Sequence, residues 1–215
     1  MRALLRLAIA LFVASVGLWA AIPATDTFTR ADSVNDLGPN WTAQDVGHPL
    51  GILGQRVYAT TFTSWSTSFW GGDTFSANHA SEWRVIDDGF AGILVTVRAS
   101  GTTEATQQFY GIAADQSGGS IVLVTGGAMS VIAPFVAVFN GDLVRLEVCG
   151  STVTGKVNGA TQGAVTDATL VSGQPGGGMF DLNTLIDDWT GDNVTCGGPP
   201  PSTKRLLLMG VSEHP

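Results

Sequence analysis

The chain carries little positive charge. Its 215 residues include ten lysines and arginines against eighteen aspartates and glutamates, and 13% of the residues are charged. A nucleic-acid interface needs basic residues gathered on one face, so this composition argues against nucleic acid as a partner. An acidic balance with few lysines suits a protein that stays soluble outside the cell.

Common catalytic and cofactor motifs are also missing. The sequence has no G-x-S-x-G nucleophile motif and no glycine-rich loop placed between a strand and a helix to hold a phosphate. Its three histidines, His48, His79 and His214, are too scattered to predict a zinc site. We expect His48 and His79 to be exposed loop residues.

Long amphipathic helices are absent, and strand signals are abundant. The 28 glycines and the short runs of Thr, Val and Ser are typical of strands joined by tight turns. The composition therefore predicts an all-β fold. A chain of this length has room for one two-sheet domain and two tails.

The segment Gly141 to Gly159 predicts a β-hairpin. Its sequence is GDLVRLEVCGSTVTGKVNG, in which apolar and polar residues alternate on both sides of a Gly-Ser turn. A two-residue turn places Val148 opposite Val153 and Val144 opposite Val157. It also brings Glu147 and Lys156, on the solvated face, within diagonal reach of each other.

This hairpin resembles the late hairpin of concanavalin A-like (LamG-like) jelly-roll domains. Two further segments are similar to that group, DTFTRADSVNDLGPNWT near the start and TDATLVSGQPGGGMFDLNTLIDDW near the end. The resemblance implies an antiparallel two-sheet β-sandwich covering residues 25–196. It specifies no function, because the group includes lectins, glycosidases, adhesion modules and virion proteins.

The acidic residues do not reproduce a glycosidase site. Laminarinase-like members of the group carry Glu-x-Asp-x-(x)-Glu, whose carboxylates point into one groove, and a retaining mechanism needs two carboxylates about 5 Å apart. The nearest approximations here are Glu82 with Asp87 and Asp88, and Asp181 with Asp187 and Asp188, which lack this alternation. We therefore predict a non-catalytic member, with a glycoside hydrolase of atypical carboxylates as an alternative. No cofactor is expected apart from a structural calcium ion, which jelly rolls of this kind often bind; the candidate ligands are Asp26, Asp187 and Asp188.

Aromatic residues concentrate between Tyr58 and Trp83, and aromatic rings with amide and hydroxyl partners are suited to sugars. In an extended FTSWSTSFW segment, Trp65 and Phe69 share one face while Phe62 and Trp70 share the other, so half of these rings must be core. We predict Trp65, Trp70 and Asn78 as ligand-binding residues. The alternative is that all the large rings pack inside the sandwich.

The first 24 residues have the pattern of a secretory signal peptide. Two arginines precede an apolar run from Leu7 to Ala21, and small residues follow up to Ala24. Cleavage is predicted after Ala24, with Ala20 as the other candidate, and it changes the formal net charge from −8 to −10. An uncleaved anchor is the alternative, but the run is short for a membrane span, and none is predicted in the mature chain.

The only cysteines are Cys149 and Cys196. An isolated pair in an exported protein predicts a disulfide, here between the hairpin end and the segment after the last strand. Two sequons, at Asn40 and Asn193, would be glycosylated in a host that modifies secreted proteins.

Residues 197–215 form a Pro-rich linker followed by a short apolar run, Leu206 to Val211. That run is either one more strand of the parent sheet, a strand given to a neighbouring subunit, or a frayed tail. Together these features predict a secreted or cell-surface, non-enzymatic module that binds glycans or mediates adhesion. The alternative is a structural subunit of an extracellular filament or virion that self-associates through Leu206 to Val211.

Overall fold

The computed structural model describes residues 23–61, 65–87 and 92–197. Over these ranges the chain forms short antiparallel strands and a single 3₁₀ turn at Glu104–Thr106. The strands are β1 (Ala24–Asp26), β2 (Trp41–Ala43), β3 (Leu50–Leu53), β4 (Arg56–Ala59), β5 (Ser66–Trp70), β6 (His79–Asp87), β7 (Ile93–Ser100), β8 (Gln108–Asp115), β9 (Gly118–Thr125), β10 (Ala128–Phe135), β11 (Leu143–Cys149), β12 (Thr152–Val157), β13 (Ala160–Thr166), β14 (Gln174–Met179) and β15 (Leu185–Asn193).

The strands form two antiparallel sheets that pack face to face. The first sheet has the order β13-β12-β11-β6-β15-β4-β3, with β1 paired to β15, and the second has the order β10-β9-β8-β7-β14-β5-β2. Neighbours in the sheets are often distant in the chain, as where β14 lies between β5 and β7. The predicted all-β, two-sheet sandwich is confirmed.

The predicted hairpin is present as β11 and β12. Val144 pairs with Val157 and Val148 pairs with Val153, and all but Val157 are fully buried. Lys156 Nζ lies 2.8 Å from Glu147 Oε2, so the predicted contact between their side chains also forms. Alternation of apolar and polar residues was sufficient to define this register because one face of the hairpin packs in the core and the other is exposed to solvent.

The core between the sheets is dominated by tryptophan. The ring centroids of Trp70 and Trp189 are 4.8 Å apart, those of Trp41 and Trp189 are 4.9 Å apart, and Trp83 packs beside them. The Trp83 indole approaches β14 at Gly177, where an added Cβ would lie 2.2 Å from Trp83 Nε1. Glycine is therefore required there for the two sheets to approach each other closely.

One end of the sandwich, which we call the disulfide end, is closed by the predicted Cys149–Cys196 bond, with an S–S distance of 2.07 Å. Beside it Arg98 is buried, and its guanidinium donates to the carbonyl oxygens of Ala77, Leu170 and Gly150. The dipoles of these three carbonyl groups compensate the charge of the buried Arg98 guanidinium, because none of the three acceptors is a carboxylate.

The prediction that His79 is an exposed loop residue is wrong. His79 begins β6 and is fully buried at the disulfide end. Its Nδ1 lies 2.8 Å from the carbonyl oxygen of Ser76, and its Nε2 lies 3.0 Å from the backbone nitrogen of Arg98. The first contact requires a proton on Nδ1 and the second requires Nε2 without one, so the imidazole is neutral.

Three predictions fall wholly or mainly outside the described residues: the signal peptide at 1–24, the linker and tail at 197–215, and the strand Leu206 to Val211. Within the described residues, Ala24 opens β1 and pairs with Gly191. Cleavage after Ala20 would keep β1 whole, whereas cleavage after Ala24 would remove its first residue. No helix in the described part of the chain is long and apolar enough to cross a membrane.

Candidate functional site

The outer face of the second sheet, away from the core, carries a second apolar cluster. It contains Leu94, Ala99, Phe109, Val122 and Val124, none more than 1% exposed. In a sheet with one face against the core, the residues that alternate with the core residues are normally polar and face the solvent. Here most of the alternate residues of β7, β8 and β9 are apolar, and they are buried, so other parts of the chain cover this face.

The cover consists of Trp65 and the loop 101–107 between β7 and β8. Trp65 packs on the apolar cluster, and its Nε1 donates to Gln107 Oε1 at 2.8 Å. On the β2 side, Gln44 Nε2 donates to the carbonyl oxygen of Ser100 at 3.0 Å. These two contacts connect Ser100, directly before the loop, and Gln107, at its end, with residues after β2 and before β5, so both ends of the loop are held against this face.

A cavity of about 240 Å³ opens at the edge of this face, at the end opposite the disulfide. Phe180, directly after β14, forms one wall and meets Trp65 edge to face, with ring centroids 6.4 Å apart. The carboxylate of Asp115 ends β8 in the same cavity, and its Oδ1 accepts from the backbone N–H of Ser117 at 2.6 Å. The described lining is completed by Ala113, Ala114 and Gly118.

Phe180 is held in place by the turn that follows it. The side chain of Asp181 is buried, and its Oδ1 accepts from the backbone N–H of Asn183 at 3.0 Å and of Thr184 at 2.7 Å. The backbone N–H of Phe180 itself donates to the carbonyl oxygen of Gly92 at 3.2 Å. An aromatic ring fixed at a rim beside a carboxylate can stack on an apolar sugar face while the carboxylate accepts from hydroxyl groups.

The predicted ligand residues Trp65, Trp70 and Asn78 are not brought together. Trp65 lies on the outer face together with Phe69, with which it was predicted to share a face, and is half-buried. Trp70 faces the core, is 6% exposed, and donates through Nε1 to Asp73. Its ring therefore cannot offer a face to a ligand, which corrects that part of the prediction.

Asn78 lies at the disulfide end, far from Trp65 along the strands. Its Oδ1 accepts from the backbone N–H of Gly150 at 2.8 Å, and its carbonyl oxygen accepts from the hydroxyl of Ser76 at 2.6 Å. These bonds fix the β11–β12 turn against β6. The Asn78 side chain therefore stabilises the fold at the disulfide end and does not form a ligand site with Trp65.

The predicted calcium ligands are paired with cations or backbone. Arg30 binds both carboxylate oxygens of Asp26, at 2.7 and 2.9 Å, and Asp188 accepts from Arg84 Nε at 2.9 Å. Burial raises the pKa of the Asp187 carboxyl above its usual value, and its Oδ1 accepts from the Asp188 N–H. In residues 23–61, 65–87 and 92–197, no three acidic, histidine or cysteine side chains are grouped to hold a metal. The prediction that these three carboxylates form a calcium site is not supported by this geometry.

Glu147 and Asp192, on the outer face of the first sheet, are ion-paired. Arg145 lies 2.7 Å from Glu147 and 2.7 Å from Asp192, and Lys156 lies 2.8 Å from the other oxygen of Glu147. Hydrogen bonds from Lys156 and Arg145 outweigh the opposing effect of burial and lower the pKa of Glu147. A carboxylate held ionised in this way is a poor general acid, since that role needs a raised pKa.

Both sequon asparagines are exposed. Asn193 ends β15 and accepts from the backbone N–H of Ser76 through Oδ1, at 2.8 Å. Asn40 precedes β2, and its neighbour Trp41 packs in the core, 9% exposed. Glycosylation at these positions stays a prediction.

Comparison with solved structures identifies the architecture. The carbohydrate-binding module CBM66 from Bacillus subtilis superposes with a TM-score of 0.57 at 12% identity, covering 72% of this chain and 96% of that one. The chain has the concanavalin A-like jelly-roll fold. The exoplasmic/lumenal domain of VIP36, in a form bound to Ca²⁺ and Man3GlcNAc, superposes with a TM-score of 0.52 at 13% identity, covering 75% of this chain and 86% of that one. No protein-family model and no curated protein matches the chain.

Sequence reasoning missed Phe180 and Asp115, which are 65 positions apart in the chain. In this concanavalin A-like sandwich, β7 pairs with both β8 and β14 and so brings the two residues to one edge. Phe180 lies inside MFDLNTLIDDW, the segment that carries the fold resemblance. The sequence signal for this part of the site is an aromatic residue directly after the glycine-rich strand β14.

Proposed function

We propose that this protein is a carbohydrate-binding module whose ligand enters the cavity between Phe180 and Asp115. The observation that carries the proposal is the half-buried ring of Phe180, which meets Trp65 edge to face and lines, with the carboxylate of Asp115, an open cavity at the edge of the outer sheet face. Aromatic faces with a few polar partners are the usual means of binding sugars. The fold is compatible with this role, although a fold alone does not specify it.

The size and charge of the cavity define the ligand class. Pockets for drug-sized ligands are roughly 300 to 1,000 Å³, so a cavity of about 240 Å³ suits one sugar ring rather than a chain. The only charged residue in its described lining is Asp115, and the chain is acidic overall. A neutral sugar is therefore favoured over a sulfated, phosphorylated or uronic acid unit.

We further propose that the protein is non-catalytic and works outside the cell, as a glycan-binding or adhesion module. The ion pairs of Glu147 and Asp192, and Asp115 as the one carboxylate in the described lining of the cavity, support a binding role over hydrolysis. The disulfide supports an oxidising compartment. The structural-subunit alternative depends on Leu206 to Val211, outside the described residues, and no contact in the described part favours it.

The test is binding of the full chain to an array of neutral glycans, followed by calorimetry with the best ligand. Phe180→Ala should weaken binding about tenfold, because it removes the stacking ring. Asp115→Asn keeps an oxygen for the Ser117 N–H and should weaken binding through the lost charge-assisted hydrogen bonds.

Val171→Ala is the matched control, since Val171 is 69% exposed and follows Leu170 at the disulfide end. It should bind like the wild type. Wild-type protein that binds no neutral glycan, or Phe180→Ala protein that is folded and binds with unchanged affinity, would contradict the proposal. Release of reducing sugar from a polysaccharide panel would contradict its non-catalytic part.

A further inference from the structure

Four buried polar atoms on the outer face of the second sheet have no hydrogen-bond partner. They are Gln44 Oε1, Thr67 Oγ1, Thr96 Oγ1 and Gln174 Oε1. Gln44, Thr67 and Thr96 are each 0% exposed. Buried polar groups in folded proteins are almost always paired, because an unpaired group loses its bonds to water without replacement. Four such atoms on one face therefore need an explanation.

The strand register places these atoms around a strip without side chains. Thr67 of β5 pairs with Gly178 of β14, and Thr96 of β7 pairs with Gly176. Two strand spacings separate β5 from β7, so the threonines flank a glycine strip about 10 Å wide. Gln44 extends the β5 side, since its backbone N–H donates to the carbonyl oxygen of Thr67 at 3.0 Å.

The outer face around Gln44, Thr67 and Thr96, which we call the floor, lies beneath the cover of Trp65 and loop 101–107. Two side-chain hydrogen bonds hold the cover: Trp65 donates to Gln107, and Gln44 donates to the carbonyl oxygen of Ser100, directly before the loop. Gly101, where the loop leaves β7, has a φ of +85°. Hinges are a few residues at the ends of elements or loops, and Gly101 occupies such a position at the base of the loop.

We propose that the floor beneath the cover is a second saccharide subsite, in which Thr67, Thr96 and Gln44 bind sugar hydroxyl groups once the cover opens. The proposal rests on the proposed function, because the ligand would extend from the Phe180 cavity past Trp65. A hydroxyl group can donate to Gln44 Oε1 and can both donate to and accept from a threonine hydroxyl. A neutral polyol chain therefore matches this set, whereas an apolar ligand would leave it unpaired.

The decisive variants are Thr67→Val and Thr96→Val, which exchange a hydroxyl for a methyl of the same shape. In the free protein the hydroxyls are buried without a partner, so the melting temperature should stay or rise. In the complex they are paired, so each change should weaken binding of the best neutral oligosaccharide from the array about fivefold. Equal stability with weaker binding is a combination that a structural role does not produce.

Thr152→Val is the control, since Thr152 is exposed on β12 of the first sheet. It should leave affinity unchanged. If Thr67→Val and Thr96→Val lower the melting temperature and leave affinity unchanged, the hydroxyls bind structural water and the subsite is refuted. That result leaves the proposed function standing if Phe180→Ala still weakens binding, whereas wild-type protein that binds no glycan overturns both.

Discussion

Neutral His79 at the disulfide end makes a measurable prediction about acid stability. Burial lowers its pKa from 6.5 to about 4, and both ring nitrogens are already bonded in the neutral form. Unfolded protein therefore binds a proton in the pH range where folded protein does not. Since the folded-state pKa is depressed, stability is complete above pH 6.5 and is lost as pH falls toward 4.

The size of the effect follows from the two pKa values. Between pH 7.5 and pH 5 the free energy of unfolding should fall by about 2 kcal/mol from this one group, and by about 3 kcal/mol at pH 4. In the His79→Gln variant the amide oxygen can still accept from the Arg98 N–H, but the side chain does not titrate. The difference between wild type and variant should therefore shrink by about 2 kcal/mol over that range.

The assay is urea unfolding followed by tryptophan fluorescence, at pH 7.5, 6.0 and 5.0, with the disulfide intact. Carboxylates such as Glu147, whose pKa is lowered, also lose stabilising interactions in acid, but they do so in both proteins and cancel in the difference. A difference between wild type and His79→Gln that is constant with pH would refute the assignment of a neutral, buried His79.

Three further outcomes follow from the fold. Replacing Cys149 and Cys196 together by serine should lower the free energy of unfolding by about 4 kcal/mol in a denaturant titration, because the bond closes a loop with a sequence separation of 47; a loss under 1 kcal/mol would contradict this. Gly177→Ala should destabilise by about 2 kcal/mol or more through collision with Trp83, while Gly197→Ala, which meets nothing within 4 Å, should not. Chelator should leave the melting temperature unchanged, because arginines already pair with Asp26 and Asp188, two of the three candidate calcium ligands; a lower melting temperature would reveal a metal site.

The fold could be predicted because its signals are local. The alternation around Val144 and Val148 specifies both the faces and the register of β11 and β12, and a single pair of cysteines left one pairing. Local alternation also placed Trp65 and Trp70 on opposite faces. It could not say which of those faces is core, because that depends on the strands that pair with β5.

The candidate site could not be predicted for the same reason. Phe180 and Asp115 meet through β7, and nothing near either residue indicates the other. His79 was misjudged because its polar neighbours in sequence, Asn78 and Ser76, are typical of a loop, while its burial depends on Arg98. Buried polar residues of this kind are recognised only when their distant partners are known.

The disulfide and the Phe180 cavity lie at opposite ends of β7 and β8, which has a consequence for how the domain would be mounted. Ala24, at the start of β1, pairs with Gly191 near the end of β15, so β1 begins and β15 ends at the disulfide pole. The eight residues of β7 place the cavity about 25 Å away, at the other pole. A partner domain or a surface attached at the start of β1 or at the end of β15 would therefore leave the cavity facing outward.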